Sequence, residues 1–251
     1  MSLAVPLPSH LRAAAEELFG ARLPLAESFA ELLANDGVER GLIGPREAPR
    51  IWDRHLLNCA AVAELIPSGA SLVDVGSGAG LPGIVLAVAR PDLTVVLVEP
   101  LARRTVFLTE AVASLGLAAT TSVLRSRAED CVGEPLSPAE IVTARAVAPL
   151  DRLAGWCLPL TAIGGRLLAL KGASAADEIA EHQDVVDRLG GSTPVLRHCG
   201  LDLIEPPTTV VEIVRERAVG PPKSGPPKMS ARSASRSTSD GRSGRGRMRR
   251  G

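Results

Sequence analysis

The chain has 251 residues, 28 basic and 28 acidic side chains and 45% apolar residues, with three Phe, two Trp and no Tyr. That length and apolar content suit one large α/β domain with appendages, and no run approaches the ~18 uncharged apolar residues of a membrane-spanning helix. Cys59, Cys131, Cys157 and Cys199 stand apart with no C-x-x-C, which argues against a zinc site or a disulfide framework. With no charged-then-apolar leader, a cytoplasmic chain with reduced thiols is the expectation.

Residues 9–19 offer Ser9 as a cap and an apolar stripe at Leu11, Ala15, Leu18 and Phe19, the pattern of an amphipathic helix. A second helix is predicted from Leu25 to Asp36. Gly37, Gly41, Gly44 and Pro45 mark a loop, and a third helix is expected from Arg50 to Leu65, stopped by Pro67. Together they form a helical extension, residues 1–67, placed to close over a cofactor or to help hold a substrate.

The run Ser71-Leu72-Val73-Asp74-Val75-Gly76-Ser77-Gly78-Ala79-Gly80-Leu81-Pro82-Gly83 organises the rest. Its apolar start predicts a strand buried on both faces, and its glycines predict a turn that brings backbone N–H groups to a ligand at the start of a helix over Ile84–Ala89. A dinucleotide fingerprint wants G-x-G-x-x-G. Here the spacing is G-x-G-x-G, with Leu81 where the third glycine belongs. Asp74 would repel a pyrophosphate but can receive the ammonium of a methionine. A second strand, Leu93–Val98, ends at Glu99, an acid placed to accept two ribose hydroxyls. Gly76, Gly78, Leu81 and Glu99 therefore favour S-adenosylmethionine over a nicotinamide cofactor.

Pro100 is positioned to start a helix that keeps its apolar spacing to Gly116, with Arg103 and Arg104 in its first turn. Further strands are expected at Thr120–Leu124, Glu140–Ala144 and Gly165–Leu170, and helices at Leu150–Leu160 and Ala175–Leu189. Pro194–Arg197 and Thr208–Arg215 read as an antiparallel pair. The alternation predicts a mostly parallel sheet with one antiparallel member over residues 68–217. Residues 218–251 carry nine basic residues and one acidic, +8, against −8 on the rest. Their Gly, Pro, Ser and Arg composition predicts a disordered basic tail, expected to tether RNA to an acidic body.

Asp53-Arg54-His55-Leu56-Leu57-Asn58, the glycine run through Leu81-Pro82-Gly83, Ala144-Arg145-Ala146 and Ala169-Leu170-Lys171-Gly172 together resemble the RsmG family, also called glucose-inhibited division protein B. The resemblance covers roughly residues 10–217. It implies a Rossmann-like class I methyltransferase fold with a seven-stranded sheet. It also implies methyl transfer from S-adenosylmethionine to N7 of a guanine in the 530 loop of 16S ribosomal RNA. The partner would be that RNA or the small ribosomal subunit, with no membrane and a monomeric protein. By position, the family's cofactor contacts fall on Gly76, Leu81, Ala128, Glu129 and Arg145, while Glu99-Pro100 departs from the Asp-Ser of many relatives.

The residues agree with an N7 target, a lone-pair acceptor with no proton to lose, which needs alignment more than a strong base. No Pro-Cys dipeptide is present to attack a pyrimidine, and Glu205-Pro206-Pro207-Thr208 lies too late and lacks the aromatic of an amine-methylating motif. His55 is either a hydrogen-bonded core histidine or a catalyst, and Lys171 either a phosphate contact or a loop cation. Two other readings stay open at this level: a small-molecule methyltransferase, and a non-catalytic RNA-binding protein.

Overall fold

The computed structural model describes residues 5–133, 136–145 and 147–219, so the basic tail from residue 220 lies outside the described residues. Seven strands, β1 (Ser71–Val75), β2 (Thr94–Val98), β3 (Thr121–Leu124), β4 (Ala139–Arg145), β5 (Thr161–Leu170), β6 (Val195–Cys199) and β7 (Thr208–Val214), form one sheet in the order β3-β2-β1-β4-β5-β7-β6. All pairs are parallel except those of β7, which runs against both β5 and β6. This is the Rossmann-like α/β sheet expected of the sequence, with its one antiparallel member.

β1 lies between β2 and β4 in the middle of the sheet and packs against a core on each face, which is why its sequence after Ser71 is apolar apart from Asp74 rather than an alternation. Its side chains nonetheless divide by face. Leu72 joins the core beneath α1 (Arg12–Phe19), α2 (Leu23–Leu32), α3 (Leu57–Ala61), α4 (Gly83–Ala89) and α5 (Ala102–Ser114). Val73 and Val75 join the opposite core with α6 (Leu150–Cys157) and α7 (Ala175–Arg188). The helical extension thus shares a core with the sheet: buried Phe29, Ile51, Trp52 and Leu56 pack in the cluster that holds Leu86 and Leu97. Trp52 also donates its indole N–H to the Val5 carbonyl at 3.2 Å. Arg90 fastens the end of the extension to the sheet by donating to the carbonyls of Ala63, Ile66 and Pro67 and to Asp92, whose carboxyl it holds well below the usual range.

Three elements differ in detail from the sequence pattern. The helix expected over Arg50–Leu65 is continuous but unevenly wound, with a π turn at Ile51–Leu56, then α3, then a 3-10 turn at Val62–Leu65. α5 starts at Ala102 and not at Pro100, because a Glu99 carboxylate oxygen takes the Leu101 N–H at 3.0 Å and Leu101 stays extended as its cap. β5 begins at Thr161, its first residues pairing with Ala139 through a register shift around Gly164 and Gly165 that hides the strand in the sequence. No helix among the described residues is long and apolar enough to cross a membrane.

Candidate active site

β1, β2 and β4 end level with one another, Val75 opposite both Val98 and Ala144, so the segments that follow them converge on one edge of the sheet. A cavity of about 610 Å³ opens there. It brings together the residues expected from the sequence to contact the cofactor, Asp74 excepted: Gly76, Gly78, Leu81, Glu99, Ala128, Glu129 and Arg145. The extension closes its other side with Leu42, Ile43, Glu47 and His55, and α6 adds Trp156.

The glycine turn is built by hydrogen bonds that its dihedrals permit. Gly76, Gly78 and Gly80 have φ of 69°, 57° and 88°, a region that side chains disfavour. Gly76 and Ser77 both direct their N–H groups to the Val98 carbonyl, and Gly78 donates to Glu99 Oε2 at 3.0 Å. Part of the turn's donor capacity is therefore spent inside the protein, tying β1 to β2. Buried Glu99 receives Gly78 on one oxygen and Leu101 on the other, with Arg104 3.6 Å away. Each carboxylate oxygen has a second lone pair, so the ribose-accepting role stays chemically open.

Asp74 differs from its expected role. Its side chain points to the Leu72 face of β1, beneath the turn, and is absent from the cavity wall. Oδ2 accepts the Gly83 N–H at 3.1 Å and Oδ1 accepts the Thr143 hydroxyl at 2.9 Å. Asp74 thus pins the start of α4 and does not reach out to an ammonium. Burial raises its pKa to about 6, only partly opposed by the hydrogen bonds from Thr143 and Gly83.

A pH prediction follows from that shift. Between pH 3.8 and about 6 the folded protein keeps a proton on Asp74 that the unfolded chain has lost, so this group lowers stability as pH rises. The full effect is about 3 kcal/mol. In Asp74→Asn the amide oxygen can accept from Gly83 and the amide nitrogen can donate to Thr143. Denaturant titrations should find variant and wild type equally stable near pH 4 and the variant ahead by about 3 kcal/mol at pH 7. A difference that does not change with pH would refute the assignment.

Arg145, at the end of β4, donates from one guanidinium nitrogen to His55 Nδ1 at 2.6 Å and from another to Cys59 Sγ at 3.4 Å. His55 Nε2 lies 3.1 Å from Glu47 Oε2. Burial and the charge of Arg145 push the His55 pKa down to about 4, so at neutral pH its Nδ1 accepts from Arg145 and its Nε2–H donates to Glu47. Sequence spacing brought out Arg145 and His55 but not Glu47, which sits in the loop ahead of the π turn. Trp156 was also missed: it carries no motif, although its position on an amphipathic helix after β4 was readable.

Arg145 and Val147 also line a second cavity, about 900 Å³, that lies against the first. Lys171 lines it but is committed: Nζ donates to the Ala148 carbonyl at 2.8 Å and to Glu178 at 2.7 Å, locking the segment after β4 onto α7. Arg54 and Arg104, which line the two cavities, are paired with acids, as is Arg50. Exposed Arg103 and Arg127 have no ion pair among the described residues.

Residues 22–202 match the GidB family model, described as rRNA small subunit methyltransferase G. A ribosomal RNA small subunit methyltransferase G of Salinispora tropica is 66% identical over 228 residues, covering 89% of this chain and 94% of that protein. The Rhodococcus jostii protein of the same name is 56% identical over 205 residues, covering 81% and 89%. Among solved structures, mitomycin 7-O-methyltransferase MmcR superposes with a TM-score of 0.53 at 19% identity, covering 82% of this chain and 66% of that one. The O-methyltransferase NcsB1, solved with S-adenosylmethionine and 2-hydroxy-5-methyl naphthoic acid, gives 0.53 at 16% identity, covering 72% and 57%. These two likenesses show the fold.

Proposed function

The chain belongs to the GidB family of small-subunit ribosomal RNA methyltransferases, and we propose that it transfers a methyl group from S-adenosylmethionine to N7 of a guanine in the 530 loop of 16S ribosomal RNA. The observation that carries the reading is the pair of adjacent cavities, one walled by the glycine turn and Glu99, the other on the far side of Arg145 and Val147, which both share.

The first cavity fits the cofactor by shape and chemistry. Its volume falls in the range of ligand sites, about 300–1,000 Å³. Gly76 gives it a wall without a side chain, and a Cβ there would stand 3.0 Å from Val147 Cγ2. Glu99 would hold the ribose, Ala128 and Glu129 the adenine edge, and Leu81 and the turn the methionine portion, while Arg145 is the cation nearest the junction with the second cavity. S-adenosylmethionine, bound there, supplies a methyl group carried on a sulfonium. The protein's contribution is to align the acceptor, to keep water out with the Leu42–Ile43 segment, and to hold Arg145 in place through His55. Neutral His55 spends both ring nitrogens on Arg145 and Glu47, which suits an acceptor with no proton to give up. Arg103 and Arg127 are available to the phosphates of an RNA.

The experiment is chemical mapping of the RNA product. N7-methylguanosine makes the strand labile to borohydride and aniline, so 16S RNA from cells with the gene should break at one guanine that stays intact in RNA from cells without it. Indistinguishable cleavage patterns would reject the proposal. Purified protein that binds S-adenosylhomocysteine but methylates a small molecule would reassign its substrate.

A further inference from the structure

The second cavity holds one side chain that the fold does not account for. Most polar groups on its wall are spoken for: Lys171 and Glu178 bind each other, Arg54 pairs with Glu47, Arg152 lies over the Trp156 ring, and His182 faces Glu181. Asp151, in the first turn of α6, complements the positive end of its helix. Asn58 has no such role. Its carbonyl accepts the Thr208 hydroxyl at 2.9 Å, but its carboxamide makes no hydrogen bond among the described residues, although the residue is half-buried. It stands three residues after His55, a partner of Arg145, so it lies on the His55 side of the helix and lines the second cavity together with Arg145.

We propose that this cavity receives the acceptor guanine nucleotide, extruded from the RNA, and that the Asn58 carboxamide reads its base by accepting from N1–H and donating to O6. The inference rests on the function proposed above and names the acceptor subsite for it. The carboxamide stands on the cavity wall with no hydrogen bond among the described residues, so its donor and its acceptor are both open to a ligand. An amide presents an acceptor and a donor side by side, matching the adjacent N1–H donor and O6 acceptor of guanine. O6 neighbours N7, but an amide that approaches from the N1 side bonds N1–H and O6 and leaves the N7 lone pair free to face the first cavity. No aromatic side chain lines the cavity among the described residues, so the base rests between aliphatic walls, Val147, Pro149 and Leu170, and is identified by its edge. Exposed Arg152 at the rim is positioned for the flanking phosphate. Enzymes that act on a base commonly take it out of the stack and read it this way.

The test compares two acceptors and two proteins. Small-subunit particles are reconstituted with ligated 16S RNA carrying either guanine or 2-aminopurine at the mapped position. 2-Aminopurine keeps N7 but lacks both O6 and N1–H. Full-length wild type should methylate the guanine particles with kcat/KM about 10–100-fold above the 2-aminopurine particles. Asn58→Ala should methylate both equally slowly, at the wild-type 2-aminopurine rate. Its affinity for S-adenosylhomocysteine, by calorimetry, should stay within twofold of wild type, which separates loss of base reading from loss of fold. If Asn58→Ala keeps the wild-type preference, or if wild type shows none, Asn58 does not read the base. If wild type methylates neither particle at N7, the proposed function itself fails.

Discussion

Arg145→Ala is expected to lower single-turnover methylation of small-subunit particles by about 10²–10³-fold while changing unfolding free energy by no more than about 1–2 kcal/mol. The asymmetry comes from where the guanidinium sits. It is the charged group common to both cavities, so its removal strikes the boundary between the sites proposed for cofactor and acceptor. Its bonds run to His55 Nδ1, on the wall of the first cavity where water can replace the lost donor, and to the Sγ of buried Cys59, a weak acceptor that loses little. Arg145→Lys should rescue poorly. One ammonium cannot span two partners that a planar fork reaches together. Denaturant unfolding and single-turnover assays on the same preparations check both halves. Activity within about threefold of wild type for the alanine variant would remove Arg145 from the working site.

Gly83→Ala is expected to destabilise the protein by about 2–4 kcal/mol. Gly83 has an ordinary helical backbone, so the cause is space and not dihedral strain. A Cβ there would stand 2.4 Å from Leu97 Cδ2 and 2.7 Å from Asp74 Oδ2, both on fully buried residues. Moving Asp74 would also disturb its hydrogen bonds to the Gly83 N–H and the Thr143 hydroxyl. The glycine turn lies directly above, so affinity for S-adenosylhomocysteine should fall with stability. Urea unfolding at pH 7 measures the first effect and calorimetry the second. A midpoint equal to wild type would mean that the core around Leu97 has slack the structure does not show.

What the sequence disclosed follows from where each signal is stored. Glu99 and Arg145 were legible because they stand just past apolar runs, and in a parallel sheet that position alone puts them at the ligand edge. Asp74 lies inside such a run. A strand buried on both faces carries no polar side to show which way its fourth residue points, and the carboxylate turned to α4. Glu47 and Lys171 depend on contacts across the fold. Nothing local foretold that Glu47 would meet His55, eight residues on, across a π turn, or that Lys171 would be consumed by Glu178. The strand order, too, is a property of the assembled sheet, since the periodicities that locate β1 to β7 are blind to which neighbours pair.

The scarcity of aromatic residues has an optical consequence. Of the two indoles, Trp52 is sealed in the core with its N–H held by Val5, while Trp156 lines the first cavity, proposed for the cofactor, under the Arg152 guanidinium. With no tyrosine in the chain, ultraviolet excitation divides between an emitter shielded from solvent and one beside the binding site. The protein therefore carries a built-in reference and a built-in probe, so occupancy of the cavity can be followed in unlabelled material through the emission of a single side chain.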